Sequence, residues 1–188
     1  MAALAALAAL TASGAWAAPS VRTASWSAGA LRRELDSAEA SLRAQFVGLP
    51  DGSNVVMMRD AQRLILRIPE RELFDADSAQ LKEDAARNLP WSAVIELLRK
   101  RHRLGAQIFV FTDSIGGSSL NQSFSEQRAL ALVATLHAAS IRPERVSAVG
   151  LGASAELATN DTPEGRERNR RVEIIIGPPP PRRAVRAR

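Results

Sequence analysis

The chain has 188 residues, 46% of them hydrophobic, which suits one ordinary domain with a real core plus terminal extensions. Its 25 Lys+Arg against 20 Asp+Glu give a net charge of +5, but much of the excess sits in the tail, at Arg182, Arg183, Arg186 and Arg188. No predicted element carries a basic face interleaved with aromatics, so nucleic acid is not an expected partner, and the absence of cysteine excludes disulfides, thiol catalysis, thiolate metal sites and a lipid-modified Cys from this sequence.

Taken in chain order, Ala2 to Ala18 is a run of small and apolar residues, and Ala-Trp-Ala-Ala-Pro at 15–19 offers the small side chains a signal peptidase requires. Residues 1–18 are therefore expected to be a signal peptide, cleaved after Ala17 or Ala18, or alternatively an N-terminal anchor. The run is short for a spanning helix, and the basic residues that usually open a signal peptide are missing. Ser27 then caps a helix on which Leu31, Leu35, Leu42 and Phe46 share a face, and 19–50 reads as a helical linker. Its apolar face suits packing on the following domain as well as it suits a partner. The cluster Gly48 to Ser53, with Pro50, Asp51 and Gly52, marks the boundary of a domain spanning 51–177.

Asn54 to Arg59 and Arg63 to Ile68 form a predicted hairpin around Asp60, Ala61 and Gln62, with Leu64, Leu66 and Ile68 alternating with Ile65 and Arg67. Pro69 ends the second strand because it cannot donate to a ladder. Ser78 is expected to cap a helix carrying Leu81, Ala85 and Leu89 on one face, which Pro90 kinks or splits from a second stripe of Trp91, Val94, Ile95 and Leu98. Leu104 and Gly105 close it. Gln107 to Phe111 is a buried strand by its apolar run, and a long helix with Ser119 as cap runs from Leu120 to His137, its inner face formed by Phe124, Leu132, Val133 and Leu136. Val146 to Val149 and Val172 to Ile176 are two further strands. The order hairpin, helix, strand, helix, strand, strand predicts an α+β sandwich of β-α-β-α-β type, with helices packed on one face of a small mixed sheet. Pro178 to Pro181 is a stiff extended tract that opens a disordered Pro/Arg-rich tail, 178–188. The two histidines, His102 and His137, fall on separate predicted helices, so no metal site is expected.

The segment most informative for function runs from Thr112 to Asn121, leaving the carboxyl end of a strand and entering a helix. Loops at strand ends expose backbone N–H groups, a helix N-terminus adds a positive dipole, and Gly116 and Gly117 let the backbone approach a ligand. Asp113 at the head of this loop and Arg128 further along the helix together suit a zwitterion, the ammonium on Asp113 and the carboxylate on Arg128. Spacing alone favours the plainer assignment of an ion pair within the domain.

Several blocks shift that balance. Leu73-Phe74-Asp75 with Ser78, Ala79 and Leu81; Thr112, Asp113, Gly116, Asn121, Ser125, Arg128 and Ala129; Val149, Gly150 and Gly152; Asn160 to Arg166; and Asn169 to Ile174 occur in order. From Asn54 to Ile176 the chain resembles the OmpA-like C-terminal domain of outer-membrane porins, peptidoglycan-associated lipoproteins and flagellar stator proteins. The resemblance implies a periplasmic protein of a Gram-negative cell envelope that binds peptidoglycan without catalysis or cofactor. It also implies contact with outer-membrane or other envelope proteins. Asp113 and Arg128 would hold the amino-acid end of diaminopimelate in the stem peptide, with Thr112, Gly116, Asn121 and Arg170 around the same pocket. Arg171 would point to the other side of its strand in a structural role, and Asn169 and Gly165 would form turns. The departures are Val110 and Phe111, where the family has Gly and then His or Tyr, and Gln127 for a frequent Arg. An enzyme without Cys, metal or a His beside the Thr112 loop would depend on carboxylates alone. A porin would need a preceding barrel of many strands. The remaining alternative is a wall-anchoring subunit of a membrane machine, although Met1 to Ala18 lacks the acidic residue expected in the spanning helix of a stator.

Overall fold

The computed structural model describes residues 26–47, 49, 53–75, 77–83 and 89–180. The expectations for residues 1–18, for Pro50, Asp51 and Gly52 in the boundary turn, for Ala85 and for the Arg-rich tail lie outside these residues. The elements are helices α1 (Ala28–Phe46), α2 (Trp91–Lys100), α3 (Ser118–Ala138) and α4 (Pro163–Asn169), and strands β1 (Val56–Arg59), β2 (Leu64–Pro69), β3 (Gly105–Phe111), β4 (Val146–Gly150) and β5 (Arg171–Gly177). Short 3-10 turns occupy Glu70–Glu72 and Pro143–Arg145. The α+β expectation holds.

The strands form one sheet in the order β1-β2-β5-β3-β4. β3 and β4 are parallel and joined through α3, and the other pairs are antiparallel. β5, last in sequence, takes the centre, which is why every one of its residues is buried. Its Val172, Ile174 and Ile176 align with Ile68, Leu66 and Leu64 on one side and with Val110, Ile108 and Ala106 on the other. These nine side chains make one face of the sheet, and α2 and α3 complete the core against it with Trp91, Val94, Leu98, Leu132 and Leu136. The opposite face carries a charged ladder, Arg67 and Arg171 both on Glu173, partly closed by the Ala155 carbonyl that accepts from Arg171. An alternating strand between an apolar layer and a polar one produces this division.

α1 starts as expected. The Ser27 hydroxyl accepts from Ala30 N–H at 3.2 Å. Leu31, Leu35, Ala38 and Leu42 are buried and belong to the same core as the sheet, where each fully buried leucine contributes about 2 kcal/mol. Arg101 reaches across to Glu34 and Ser37, and Arg59 to Asp36. Among the described residues no helix is long and apolar enough to cross a membrane.

The expected helix at Ser78 is a correction. Residues 78–83 are non-helical: Phe74 bridges to Leu81, Lys82 N–H donates to Leu73 O at 3.0 Å, and Asp75 N–H donates to Gln80 O at 3.3 Å, so the chain doubles back. Ser78 spends its hydroxyl on Gln80 N–H at 2.9 Å, the kind of local side-chain bond that competes with a helix. Pro90 stands at the start of α2, as its N-cap. α3 begins at Ser118 after Gly117, with no side-chain cap, earlier than the start at Leu120 that Ser119 as cap would give.

Candidate ligand-binding site

The sheet order places three chain segments at one edge of the domain: the loop leaving β3, the junction of α4 with β5, and the 3-10 turn leaving β2. Because β5 lies between β2 and β3, Arg170 at its start falls between Glu70 and Asp113. The register continues into the loops, since Glu70 N–H donates to Arg170 O at 3.1 Å and Thr112 N–H to Gly152 O at 2.9 Å.

Asp113 is nearly buried. One carboxylate oxygen accepts from Ile115 N–H at 3.0 Å, which fixes the turn, and the other pairs with Arg170 Nη1 at 2.6 Å. Asn121 donates from its side-chain amide to Asp113 O at 3.1 Å, tying the first turn of α3 to the loop, and the Thr112 hydroxyl donates to the same carbonyl at 2.9 Å. Gly116 and Gly117 take φ of 95° and 84°, values that a residue with a Cβ adopts only under strain. The structure therefore gathers Thr112, Asp113, Gly116, Asn121 and Arg170.

Arg128 is 1% exposed. Its Nε donates to Ser78 O at 2.8 Å, its Nη1 is ion-paired with Glu70, and its guanidinium carbon lies 4.0 Å from the Phe124 ring centre and 5.0 Å from that of Phe74. Nη2 is buried without a hydrogen-bond partner. Leaving such a donor unpaired costs on the order of 1 to 3 kcal/mol, more where the group is charged. Asp113 and Arg128 thus do not pair with each other; each has its own partner, Arg170 and Glu70.

Burial pushes the Glu70 carboxyl above the usual glutamate range, and the Arg128 charge only partly offsets this. Burial lowers the Arg128 guanidinium pKa in turn, against the pull of Glu70. At Arg170, whose side chain is 34% exposed, burial acts downward but the hydrogen bonds to Asp113 and Glu167 outweigh it and raise the pKa. The edge therefore holds alternating charges, with Asp113 and Glu167 on Arg170 and Glu70 on Arg128. No group of acids, histidines or cysteines able to hold a metal occurs among the described residues.

Glu70 and Asn160 are the contributors that sequence reasoning did not single out. Asn160 Oδ1 accepts from Ser114 N–H at 3.1 Å and from the Asn169 amide at 3.1 Å, joining the α4 region to the Asp113 loop. Its place inside a motif block was the available signal, whereas Glu70 had none beyond following Pro69. Asn169 and Gly165, expected in turns, both lie in α4. Asn169 Oδ1 accepts from Leu157 and Ala158 N–H, and a Cβ on Gly165 would sit 1.9 Å from Thr159 O. Arg171 faces away from Arg170, with its guanidinium 3.7 Å from the Phe111 ring centre and bonded to Glu173. Of the departures, Val110 is in the core, Phe111 lies against Arg171, and Gln127 is exposed on α3.

A model of the OmpA family matches residues 73–170, the stretch that supplies Asp113, Asn121, Arg128 and Arg170. The chain is 34% identical over 144 residues to the probable lipoprotein YiaD of Escherichia coli, a match covering 77% of this chain and 63% of that one, so it spans less than two thirds of that relative's length. Among solved structures, a putative MotB-like protein from Desulfovibrio vulgaris superposes with a TM-score of 0.70 at 26% identity, covering 80% of this chain and 98% of the other. The cell wall anchor of the T6SS from Pseudomonas aeruginosa gives 0.60 at 26% identity, over 79% and 96% of the two chains.

Proposed function

Because this chain belongs to the OmpA family, we propose that it binds peptidoglycan non-covalently in the periplasm and tethers the outer membrane or an envelope complex to the cell wall. It does so by holding the diaminopimelate of a stem peptide. Its likeness to a cell wall anchor over most of both chains supports the anchoring role. The site chemistry supports the ligand class, since an acid and a base held apart on one rigid edge match the two ends of an amino acid.

The observation that carries the finer reading is the unpartnered Nη2 of Arg128. A carboxylate brought by the ligand would satisfy that donor, and a charge-assisted bond of this kind contributes on the order of 1.5 to 3 kcal/mol. Asp113 takes the ammonium, exchanging part of its interaction with Arg170, whose side chain is exposed enough to swing toward the ligand. Asn121 and Thr112 hold the Asp113 carbonyl, and the Gly116 region lets the ligand approach the loop. Nothing in this scheme makes or breaks a covalent bond, so the site is an anchor rather than a catalyst.

The test is co-sedimentation of the purified protein with sacculi that contain diaminopimelate. Wild type is expected in the pellet, and Asp113→Ala and Arg128→Ala in the supernatant with unchanged circular dichroism. Equal sedimentation of all three folded proteins would refute the site. A second reading, the wall-anchoring subunit of a larger membrane machine, keeps the same site and is favoured by the two structural likenesses. Crosslinking in cells followed by mass spectrometry would tell the two apart through the envelope proteins recovered.

A further inference from the structure

We propose that Glu70 sets the affinity of this site, as an internal carboxylate that occupies Arg128 and must be displaced or neutralised when the carboxylate of a ligand binds. The proposal rests on the reading of Arg128 as the carboxylate anchor. Arginine offers a carboxylate a two-pronged face, and here Nε is committed to Ser78 O at 2.8 Å. The face that remains is Nη1 with Nη2. Glu70 Oε2 faces Nη1 as an ion pair, while both that oxygen and Nη2 are buried without a hydrogen-bond partner. A ligand carboxylate must therefore take Nη1 from Glu70, or settle on Nη2 alone with the Glu70 charge beside it. In both cases the ionised Glu70 opposes binding through a partly desolvated contact where charge repulsion is poorly screened.

Glu70 is well placed for this because it does not move freely. It sits on the 3-10 turn directly after β2, and its own N–H is bonded to Arg170 O. The charged groups around it are Arg128 from α3, Glu167 from α4 and Arg170 directly after α4, and Asp77, in the loop that follows the 3-10 turn, acts on Arg128. Burial already raises the Glu70 pKa. As pH falls from neutrality toward the usual glutamate range, Glu70 takes up a proton, its hold on Arg128 weakens, and the ligand binds more tightly. Raising the pH reverses the effect.

The experiment is calorimetric titration of the full chain with free diaminopimelate, with sacculus co-sedimentation alongside, for wild type, Glu70→Gln, Glu70→Asp and Asp113→Asn across mildly acid to neutral pH. At neutral pH Glu70→Gln is expected to bind at least about threefold more tightly than wild type. It should also lose the gain that wild type shows on acidification. Glu70→Asp, whose carboxylate is drawn back from Nη1, should fall between them and decides the matter if Glu70→Gln does not fold. Weaker or equal binding by a folded Glu70→Gln, or an unchanged pH slope, overturns the proposal, because a residue that merely orients Arg128 would behave that way. If Asp113→Asn binds as wild type does, the underlying site reading fails; if it loses binding while Glu70→Gln gains nothing, only the role of Glu70 fails.

Discussion

Replacing Gly150 with alanine should separate the fold's demand for space from any demand on backbone conformation. Gly150 ends β4 where α3 crosses it, and a Cβ there would sit 2.2 Å from Glu126 N, 2.4 Å from Ser125 C and 2.6 Å from Ser125 Oγ. Two of these are backbone atoms of a packed helix and the third is the hydroxyl of a short side chain, so α3 itself must move. Overpacking of this kind costs about 1 to 3 kcal/mol. The shift also strains the bonds from Gly152 N–H to Ser125 Oγ and from the Gln122 amide to Gly150 O, both 2.9 Å, for about 1 kcal/mol more. A total near 3 kcal/mol corresponds to a fall in Tm of about 10 °C in a domain of this size. Gly29→Ala provides the opposite sign, since its Cβ would meet only the Arg33 guanidinium at 3.6 Å and alanine favours a helix by roughly 0.5 kcal/mol. Thermal melts followed by circular dichroism on the two variants decide the point. If Gly150→Ala melts within about 2 °C of wild type, where some 10 °C is expected, the close packing of α3 on β4 is wrong, and with it the placement of Asn121 and Arg128.

Leu35→Ala should cost about 2 to 5 kcal/mol in denaturant unfolding, because the side chain is fully buried in the shared core; a loss below 1 kcal/mol would make α1 a peripheral helix. Asn169→Ala removes the acceptor for Leu157 and Ala158 N–H and the donor to Asn160, so amide exchange at residues 157 and 158 should speed up and sacculus binding should weaken several-fold. At Glu167 burial acts upward, but hydrogen bonds from Arg71 and Arg170 bring the carboxyl below its ordinary value. A depressed carboxylate stabilises the fold above its unfolded pKa and loses that contribution as pH falls through its folded one. Glu167→Gln should accordingly flatten part of the acid limb of a stability-versus-pH curve, and an identical limb would contradict the assignment.

The strands were readable because their apolar residues alternate, and β2 shows this clearly, with Leu64, Leu66 and Ile68 inward and Arg67 outward onto Glu173. That β5 would enter the centre of the sheet was not readable, since pairing across the whole chain leaves no local period. The same limit hid Glu70, whose contact with Arg128 joins the turn after β2 to a helix far along the chain. Ser78 misled because its preference for helix starts and its preference for tight turns look alike in sequence, and the bridge from Phe74 to Leu81 chose the turn. α4 is too short for an apolar stripe to announce it, although Pro163 at its start and the Thr162 hydroxyl accepting from Gly165 N–H are ordinary opening signals. Asp113, Asn121 and Arg170, which come from two separate motif blocks, are neighbours in the structure. The alternative of a direct Asp113–Arg128 pair gave way to two pairs, Asp113 with Arg170, which lies within the blocks, and Arg128 with Glu70, which lies outside them.

Whether Asp113 and Arg128 hold the two ends of the ligand is decided by a crystal structure of the protein with diaminopimelate bound. The ligand ammonium is expected within hydrogen-bond distance of the Asp113 carboxylate, and a ligand carboxylate oxygen on Arg128 Nη2. Diaminopimelate bound elsewhere, or held through Arg170 with Arg128 still closed under Glu70 and Ser78, would contradict it.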